Sequence, residues 1–531
     1  MKKKCNDRKT RHVLFIALSG LCRLTVCVVW VILGQPLFAA FPDGMCLPLR
    51  SAVAGRDTVC LTLSQTIAWA QAHSPEAQSA RHIYLSAYWN YRFYKANYLP
   101  SLTLSSYPEL NRQINRITQS DGTERYVNQN LLNTDLNLTL NQNVWFTGGS
   151  FFVTTSARRT DVLSDGSTAY NTSPLTIGYQ QSLLGYNSLK WDRRIEPLRL
   201  REARKTYAES LELVASQASS LFFRLAGAQT NLDIARSNYA SADTLQRYAA
   251  GRYRIGTITQ NEMMQLEVNR LNEETNCMDA LVEVESCMQD LLLFLGMEKT
   301  TRIRVLPPTG VPDIYIPEDE ALRQAWRNSP EPDALERRLI EQRSSLAQAK
   351  ADAGLKADLY MKFGLSQTGE TLDEAYRRPL NQQYVSLSLS LPVLDWGRGR
   401  GRVKVARSQL ALTETQVEQS RVNFELNVLK MVRQFNLQGR RVQIAARTDS
   451  TAARRTEVAR RLYLNGQSTL LDFNEAVAEK DAARRSFISA LQTYWSLYMV
   501  CVVLRDMISR QTDRLNIHCP SIELFCDIII K

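Results

Sequence analysis

Residues 253–262 read Tyr253-Arg254-Ile255-Gly256-Thr257-Ile258-Thr259-Gln260-Asn261-Glu262, and residues 463–472 read Tyr463-Leu464-Asn465-Gly466-Gln467-Ser468-Thr469-Leu470-Leu471-Asp472. Aligned on Gly256 and Gly466, both carry Tyr three residues before the Gly, Thr three after it and an acid six after it. Each copy lies between two helical stretches with little or no proline. A Gly closes one helix, and Thr with an acid opens the next, which is the chemistry of a tight helix–helix turn. Two copies so far apart point to an internal duplication.

A second pair of phrases supports it. Trp69-Ala70-Gln71-Ala72-His73-Ser74-Pro75-Glu76 recurs as Gln324-Ala325-Trp326-Arg327-Asn328-Ser329-Pro330-Glu331, with Ser-Pro-Glu in common after a short helical run. Each half then follows one order: short helix, Ser-Pro-Glu, helix, strands, very long helix, Gly turn, long helix. The first half is longer in its strand region, where insertions are tolerated best. The expected organisation is a leader over 1–40, a linker over 41–60, a first repeat over 61–300 and a linker over 301–320. A second repeat over 321–510 and a tail over 511–531 follow. Strands are expected over about 100–184 and 357–394, and long helices over 188–298 and 397–508.

The formal charge is +12, but seven Lys/Arg and one Asp in residues 1–40 account for six of those charges, which leaves +6. There is no concentrated basic stripe with interleaved aromatics, so nucleic acid is not an expected partner. The N-terminus itself has a basic region from Lys2 to Arg11, an apolar run over 13–33 interrupted by Arg23, and Ala39-Ala40 at its end. That pattern is a secretory signal. Phe38 stands where a small residue is preferred for cleavage, which leaves an uncleaved anchor as the alternative. Beyond the leader, the cysteines have neither zinc-finger nor redox spacing. Cys277 and Cys287 lie on one helix about 15 Å apart, too far to bridge. Cys519 and Cys526 in the tail are close enough in sequence to pair.

The helical runs are unusually long. Residues 188–251 hold one proline, Pro197, and 402–465 none, so each covers roughly 95 Å if continuous. Leu211, Val214, Ala218, Leu221 and Leu225 form a seam at three- and four-residue spacing, and so do Phe424, Val428, Met431 and Phe435. A narrow apolar seam with charged opposite faces suits coiled-coil packing. The strand regions alternate instead: Ser101–Tyr107, Asp135–Asn141 and Val385–Leu391 put Leu on one face and Ser, Thr or Asn on the other. Such a strand has one apolar and one polar side. In an outer-membrane barrel the apolar side meets lipid and the polar side lines a wet lumen. Tyr98, Tyr107, Trp145, Tyr179, Tyr186, Trp191, Tyr384 and Trp396 fall at or near strand ends, where aromatic girdles sit.

This ordered set of features resembles the outer membrane efflux protein (TolC) family. The junction Leu387-Ser388-Leu389-Ser390-Leu391-Pro392-Val393-Leu394-Asp395-Trp396-Gly397-Arg398 and the entry Tyr98-Leu99-Pro100-Ser101-Leu102 are similar to that family's phrases, and the likeness covers roughly 60–510. The resemblance implies an α+β membrane protein built from two repeats. A trimeric transmembrane β-barrel would continue into a long α-helical periplasmic barrel. Each protomer would give four strands to the barrel, and neither barrel closes with one chain. Residues 134–161 depart from that pattern: they read as an additional hairpin turning at Phe146-Thr147-Gly148-Gly149, which either enlarges the barrel or lies outside it.

The implied function is an outer-membrane exit channel extending into the periplasm. Its implied partners are itself as a homotrimer, a periplasmic adaptor (membrane fusion) protein, an inner-membrane transporter and outer-membrane lipid. A duct for type I protein secretion is the alternative within the family, and a coiled-coil scaffold without a pore is the alternative outside it. There is no phosphate-binding Gly loop, nucleophile elbow or metal-spaced His pair, so no enzymatic activity, cofactor or metal is expected. In the family the two turns close the periplasmic end of the tunnel. Carried over residue by residue, the pore-narrowing acids fall at Asp472 and Glu475, and a closing bond joins Tyr463 to Glu262. Gly256, Gly466, Thr259 and Thr469 form the turn tips. The position of a bracing Arg is held by Ser468, so that brace is missing. The same residues also suit a plain helix-capping role, and capping and gating are compatible.

Overall fold

The computed structural model describes residues 59–502, apart from 119, 121, 257, 309 and 466. The leader, most of the first linker, the C-terminal tail with Cys519 and Cys526, and the turn glycine Gly466 lie outside the described residues.

The Ser-Pro-Glu phrases act as helix starts in both halves. Strand β1 (Val59–Thr62) leads into helix α1 (Leu63–His73), where Thr62 and Gln65 form a reciprocal capping box. Ser74 then caps α2 (Pro75–Ala96): its Oγ accepts the Ala77 N–H at 3.1 Å, and Pro75 takes the first helical position, where a missing N–H costs nothing. Strands β2 (Ser101–Thr118), β3 (Glu124–Val144), β4 (Gly149–Val162) and β5 (Ser167–Ser182) follow. Helices α3 (Ser188–Arg254) and α4 (Gln260–Leu295) complete the first half.

The second half repeats that order. It runs β6 (Ile303–Leu306), α5 (Glu318–Asn328), α6 (Glu331–Ala353), β7 (Lys356–Gly369), a short α7 (Leu372–Tyr376) and β8 (Leu380–Ser390). Helices α8 (Arg398–Leu464) and α9 (Leu470–Val502) close it. At the second phrase Ser329 Oγ accepts the Glu331 N–H at 3.3 Å, so the motif opens a helix again, one residue later. Helices α3 and α8 have 67 residues each, about 100 Å at 1.5 Å per residue. Duplication is thus visible in three dimensions: α1 and α2 pack on α3 as α5 and α6 pack on α8.

The two halves are tied at their middle. β1 and β6 pair in parallel from Val59–Ile303 to Thr62–Leu306. The core around them takes Phe222, Phe223 and Leu225 from α3 and Leu291, Leu292 and Leu295 from α4. Val432 and Phe435 come from α8, and Leu491, Tyr494 and Trp495 from α9. Two side-chain amides on the long helices continue the strand pairing. Gln229 accepts from Val305 N and donates to Ile303 O, and Asn436 accepts from Ile316 N and donates to Ile316 O. Backbone groups that lack a strand neighbour are satisfied in this way. Arg337 of α6 clamps α3 through a two-pronged pair with Glu202, at 2.5 and 2.9 Å, and also reaches Glu341. Those carboxylates hold the guanidinium even more firmly protonated than usual.

The other strands form one antiparallel sheet in the order β2-β3-β4-β5-β7-β8. The resemblance implies four strands per protomer; the sheet has six, because β3 and β4 pair with each other and with β2 and β5. Alternation sorts the two faces. Leu102, Leu140, Val153, Ile177 and Phe363 lie directly opposite one another along one row across five strands. The adjacent row, on the other face, is Thr103, Thr139, Thr154, Thr176, Gly364 and Gln382 across all six. The apolar face is bare in the single chain: Leu102 is 66 % exposed, Leu104 65 % and Leu389 64 %. No helix among the described residues is long and apolar enough to cross a membrane.

Candidate functional site

The site begins with the way each long helix ends. Helix α3 stops at Arg254, and Gly256 takes a left-handed φ of +77°, where a side chain would be strained. Its N–H donates to Tyr253 O at 2.9 Å. Thr259 then caps α4: the Thr259 hydroxyl accepts the Glu262 N–H, and the Glu262 carboxylate accepts the Thr259 N–H at 2.9 Å. Helix α8 ends at Leu464 with a different back-bond and the same kind of cap on the helix that follows. Gln467 N–H reaches back to Leu462 O at 2.9 Å, and Thr469 and Asp472 form the matching reciprocal pair at the start of α9. Asp472 also accepts hydroxyl bonds from Thr469 at 2.7 Å and from Ser468 at 3.1 Å. Ser468, in the position where a bracing Arg would stand, therefore tightens its own turn.

These bonds set the electrostatics. Asp472 is held below the usual carboxylate range, first by the Thr469 hydroxyl, then by the Thr469 N–H and the Ser468 hydroxyl. Glu475 lies three residues further along α9 and is exposed, so the two acids share one helix face. Tyr463 stacks on the buried Phe473, with ring centroids 5.9 Å apart and planes 17° apart. Burial pushes its phenol upward, opposed by Arg252 and reinforced by Glu262 and Tyr248. A tyrosine of the second repeat thus sits within electrostatic reach of three residues of the first. No hydrogen bond joins Tyr463 to Glu262 in the single chain, and Glu262 acts on Tyr463 only through its charge. The carboxylate of Glu262 is engaged with Thr259, so within the single chain both turn acids serve as caps.

Arg252 is the residue that sequence reasoning missed. It lies one turn before Gly256, and its guanidinium stands 5.9 Å from the centre of the Tyr248 ring. Its nearness to Tyr463 arises only from the packing of one repeat on the other.

Above the turns, α3 and α4 face α8 and α9 across a polar cavity of about 680 Å³, lined among others by Asn231, Asn238, Glu273, Arg460 and Asp481. Asn238 Nδ2 donates to Asp481 Oδ2 at 2.7 Å, joining the first repeat to the second, and Lys480 approaches the other oxygen at 3.4 Å. Among the described residues no group of His, Cys, Asp and Glu is placed to hold a metal ion.

Comparison with known proteins agrees with this architecture. Residues 321–495 match the family model described as outer membrane efflux protein. The chain is similar in structure to the CmeC outer membrane channel of Campylobacter jejuni, with a TM-score of 0.61 and 15 % identity over 83 % of this chain and 85 % of that one. It is also similar to the outer membrane protein VceC of Vibrio cholerae (TM-score 0.60, 14 % identity, 83 % and 95 % covered). The open state of the MtrE outer membrane channel of Neisseria gonorrhoeae gives 0.53 and 13 % identity over 83 % and 88 %. No curated protein matches the chain. At these identities the solved structures establish a shared fold.

Proposed function

From a chain whose residues 321–495 match the outer membrane efflux protein family model, we propose an outer-membrane exit channel that works as a homotrimer. It conducts substrates passively from a periplasmic adaptor and an inner-membrane pump to the exterior. The observation that carries this reading is the six-stranded sheet. One face is a bare apolar surface and the other is lined with Thr, Ser and Asn, and the strands run directly into helices of 67 residues. In water such an exposed apolar face is a liability; against lipid it is a requirement. The edges β2 and β8 have unpaired backbone groups, which lipid cannot satisfy, so the sheet must close with further copies. Strand β2 runs away from the helices and β8 runs back toward them, so an edge-to-edge junction between neighbours is antiparallel, like every pair within the sheet.

At the other end, the paired turns form the narrow mouth. Three copies of Asp472 and Glu475 around one axis make a ring of negative charge, which favours cations and repels itself. Closure then depends on the cluster of Tyr463, Glu262 and Arg252 between repeats. The chain contributes a conduit and a gate; the energy comes from its partners.

Membrane fractionation tests this reading. The mature chain is expected in the outer-membrane fraction, migrating as a trimer before heating and as a monomer after. Recovery as a soluble monomer with its helices intact would overturn it.

A further inference from the structure

The extra hairpin raises a question that the channel reading leaves open: whether 124–162 is part of the membrane wall or an appendage to it. We infer that β3 and β4 are lipid-facing wall strands, so that the trimer closes as an eighteen-stranded barrel with an exit wider than four strands per protomer would build. The inference rests on the trimeric channel reading above.

Three observations carry it. First, the hairpin lies in the interior of the sheet. β3 pairs with β2 over Ser101–Thr118 and with β4 over Leu131–Val144, and β4 continues onto β5 with one bulge near Thr154. Removing the hairpin from the wall would break both the β2–β3 and the β4–β5 ladders and leave two new open edges in lipid. Second, its outward face is apolar at the same level as its neighbours. Leu140 and Val153 sit in one row between Leu102 on β2 and Ile177 on β5. Leu136, Leu138, Leu140 and Phe151 are exposed in the single chain, as a lipid-facing belt must be. A hairpin standing in water would gain nothing from that row. Third, the opposite face carries a polar row at the same level, beside the Phe152 ring that stacks on Tyr360. Thr139 and Thr154 stand between Thr103 and Thr176, and their hydroxyls meet at 3.2 Å. A one-residue slip in either ladder would put Leu in the lumen and Thr in lipid, so the register itself encodes a wall.

Six strands from each of three protomers make eighteen. Barrel diameter grows roughly linearly with strand number, so this exit is about one and a half times as wide as one with four strands per protomer.

Site-directed fluorescence in lipid tests the assignment. Single cysteines are placed at Val153, Thr154 and Ile177 in a background lacking the native ones, and a bimane probe is attached after reconstitution into vesicles containing nitroxide-labelled lipid. Val153→Cys is expected to be quenched by lipid to within about twofold of Ile177→Cys, while Thr154→Cys reacts with a membrane-impermeant maleimide and escapes lipid quenching. If Ile177→Cys is quenched and Val153→Cys is not, the hairpin lies outside the wall and the inference fails while the channel reading stands. If neither position meets lipid, both are overturned. Ile177 on β5 thus separates the two failures.

Discussion

At the residue scale, Asp472 does two jobs that substitution can separate. Its carboxylate caps α9 together with Thr469, and its charge contributes to the proposed ring. Asp472→Asn keeps an acceptor for the Thr469 N–H but removes the charge. It should weaken cation selectivity and block by multivalent cations with little loss of stability. Thr469→Ala removes the cap instead and should cost about 1 kcal/mol of stability while leaving selectivity near wild type. Reversal potentials and thermal unfolding of both variants check this; equal effects on both readouts would mean that the turn has only a structural role.

The pH response follows from the same bonds. The pKa of Asp472 is lowered, so its stabilising contribution is full above the unfolded-state value of about 3.9 and is lost as pH falls through the lower folded value. In a Glu475→Gln background, the pH midpoint at which cation selectivity is lost should therefore rise when Ser468→Ala removes one of the capping hydroxyls. An unchanged midpoint would show that the capping bonds do not act on the charge. The Thr-x-x-acid caps were legible in the sequence, because a capping box is a local pattern. Arg252 was not, because Tyr463, on which its charge acts, is some two hundred residues away in sequence.

At the scale of elements, the long helices were legible and the extents of the strands were not. A seam at three- and four-residue spacing with one proline over 188–251 can form little but a helix, and α3 accommodates Pro197 near its start. Strand β3 begins at Glu124, well before the alternation over 135–141, because 124–133 holds Asn, Gln and charged residues on both faces. The partner strand, not the residue pattern, makes that segment extended: Arg112 to Thr118 of β2 pair with it beyond the reach of β4. The four-residue strands β1 and β6 carry no usable periodicity and are formed by their pairing across the duplication.

The middle of the molecule should be the most sensitive to truncation. Phe435 is 1 % exposed and packs on Tyr494 with centroids 5.3 Å apart. Phe435→Ala should cost about 3–5 kcal/mol. Tyr494→Phe keeps the packing and loses only the bond to Pro312 O at 2.8 Å, so it should cost about 1 kcal/mol. Comparable losses in denaturant unfolding would mean that the hydroxyl network, not the apolar seam, holds the repeats together.

At the scale of the whole molecule, duplication explains the architecture. One repeat supplies a strand-to-helix unit with an apolar seam; two repeats meet through β1, β6 and the central core. The unpaired sheet edges extend the same logic to further copies. The proposed ring of turn acids and the proposed lipid-facing wall both require copies to assemble, which is why the bare apolar face and the repeated turns are intelligible together as parts of a channel.

The most direct test of that account is single-channel recording of the purified trimer in a planar lipid bilayer under a salt gradient. The account predicts stepwise conductance with cation selectivity that declines as ionic strength rises and exposed charges are screened. Folded, bilayer-inserted trimers that pass no current, or that show no preference for cations at low salt, would contradict it.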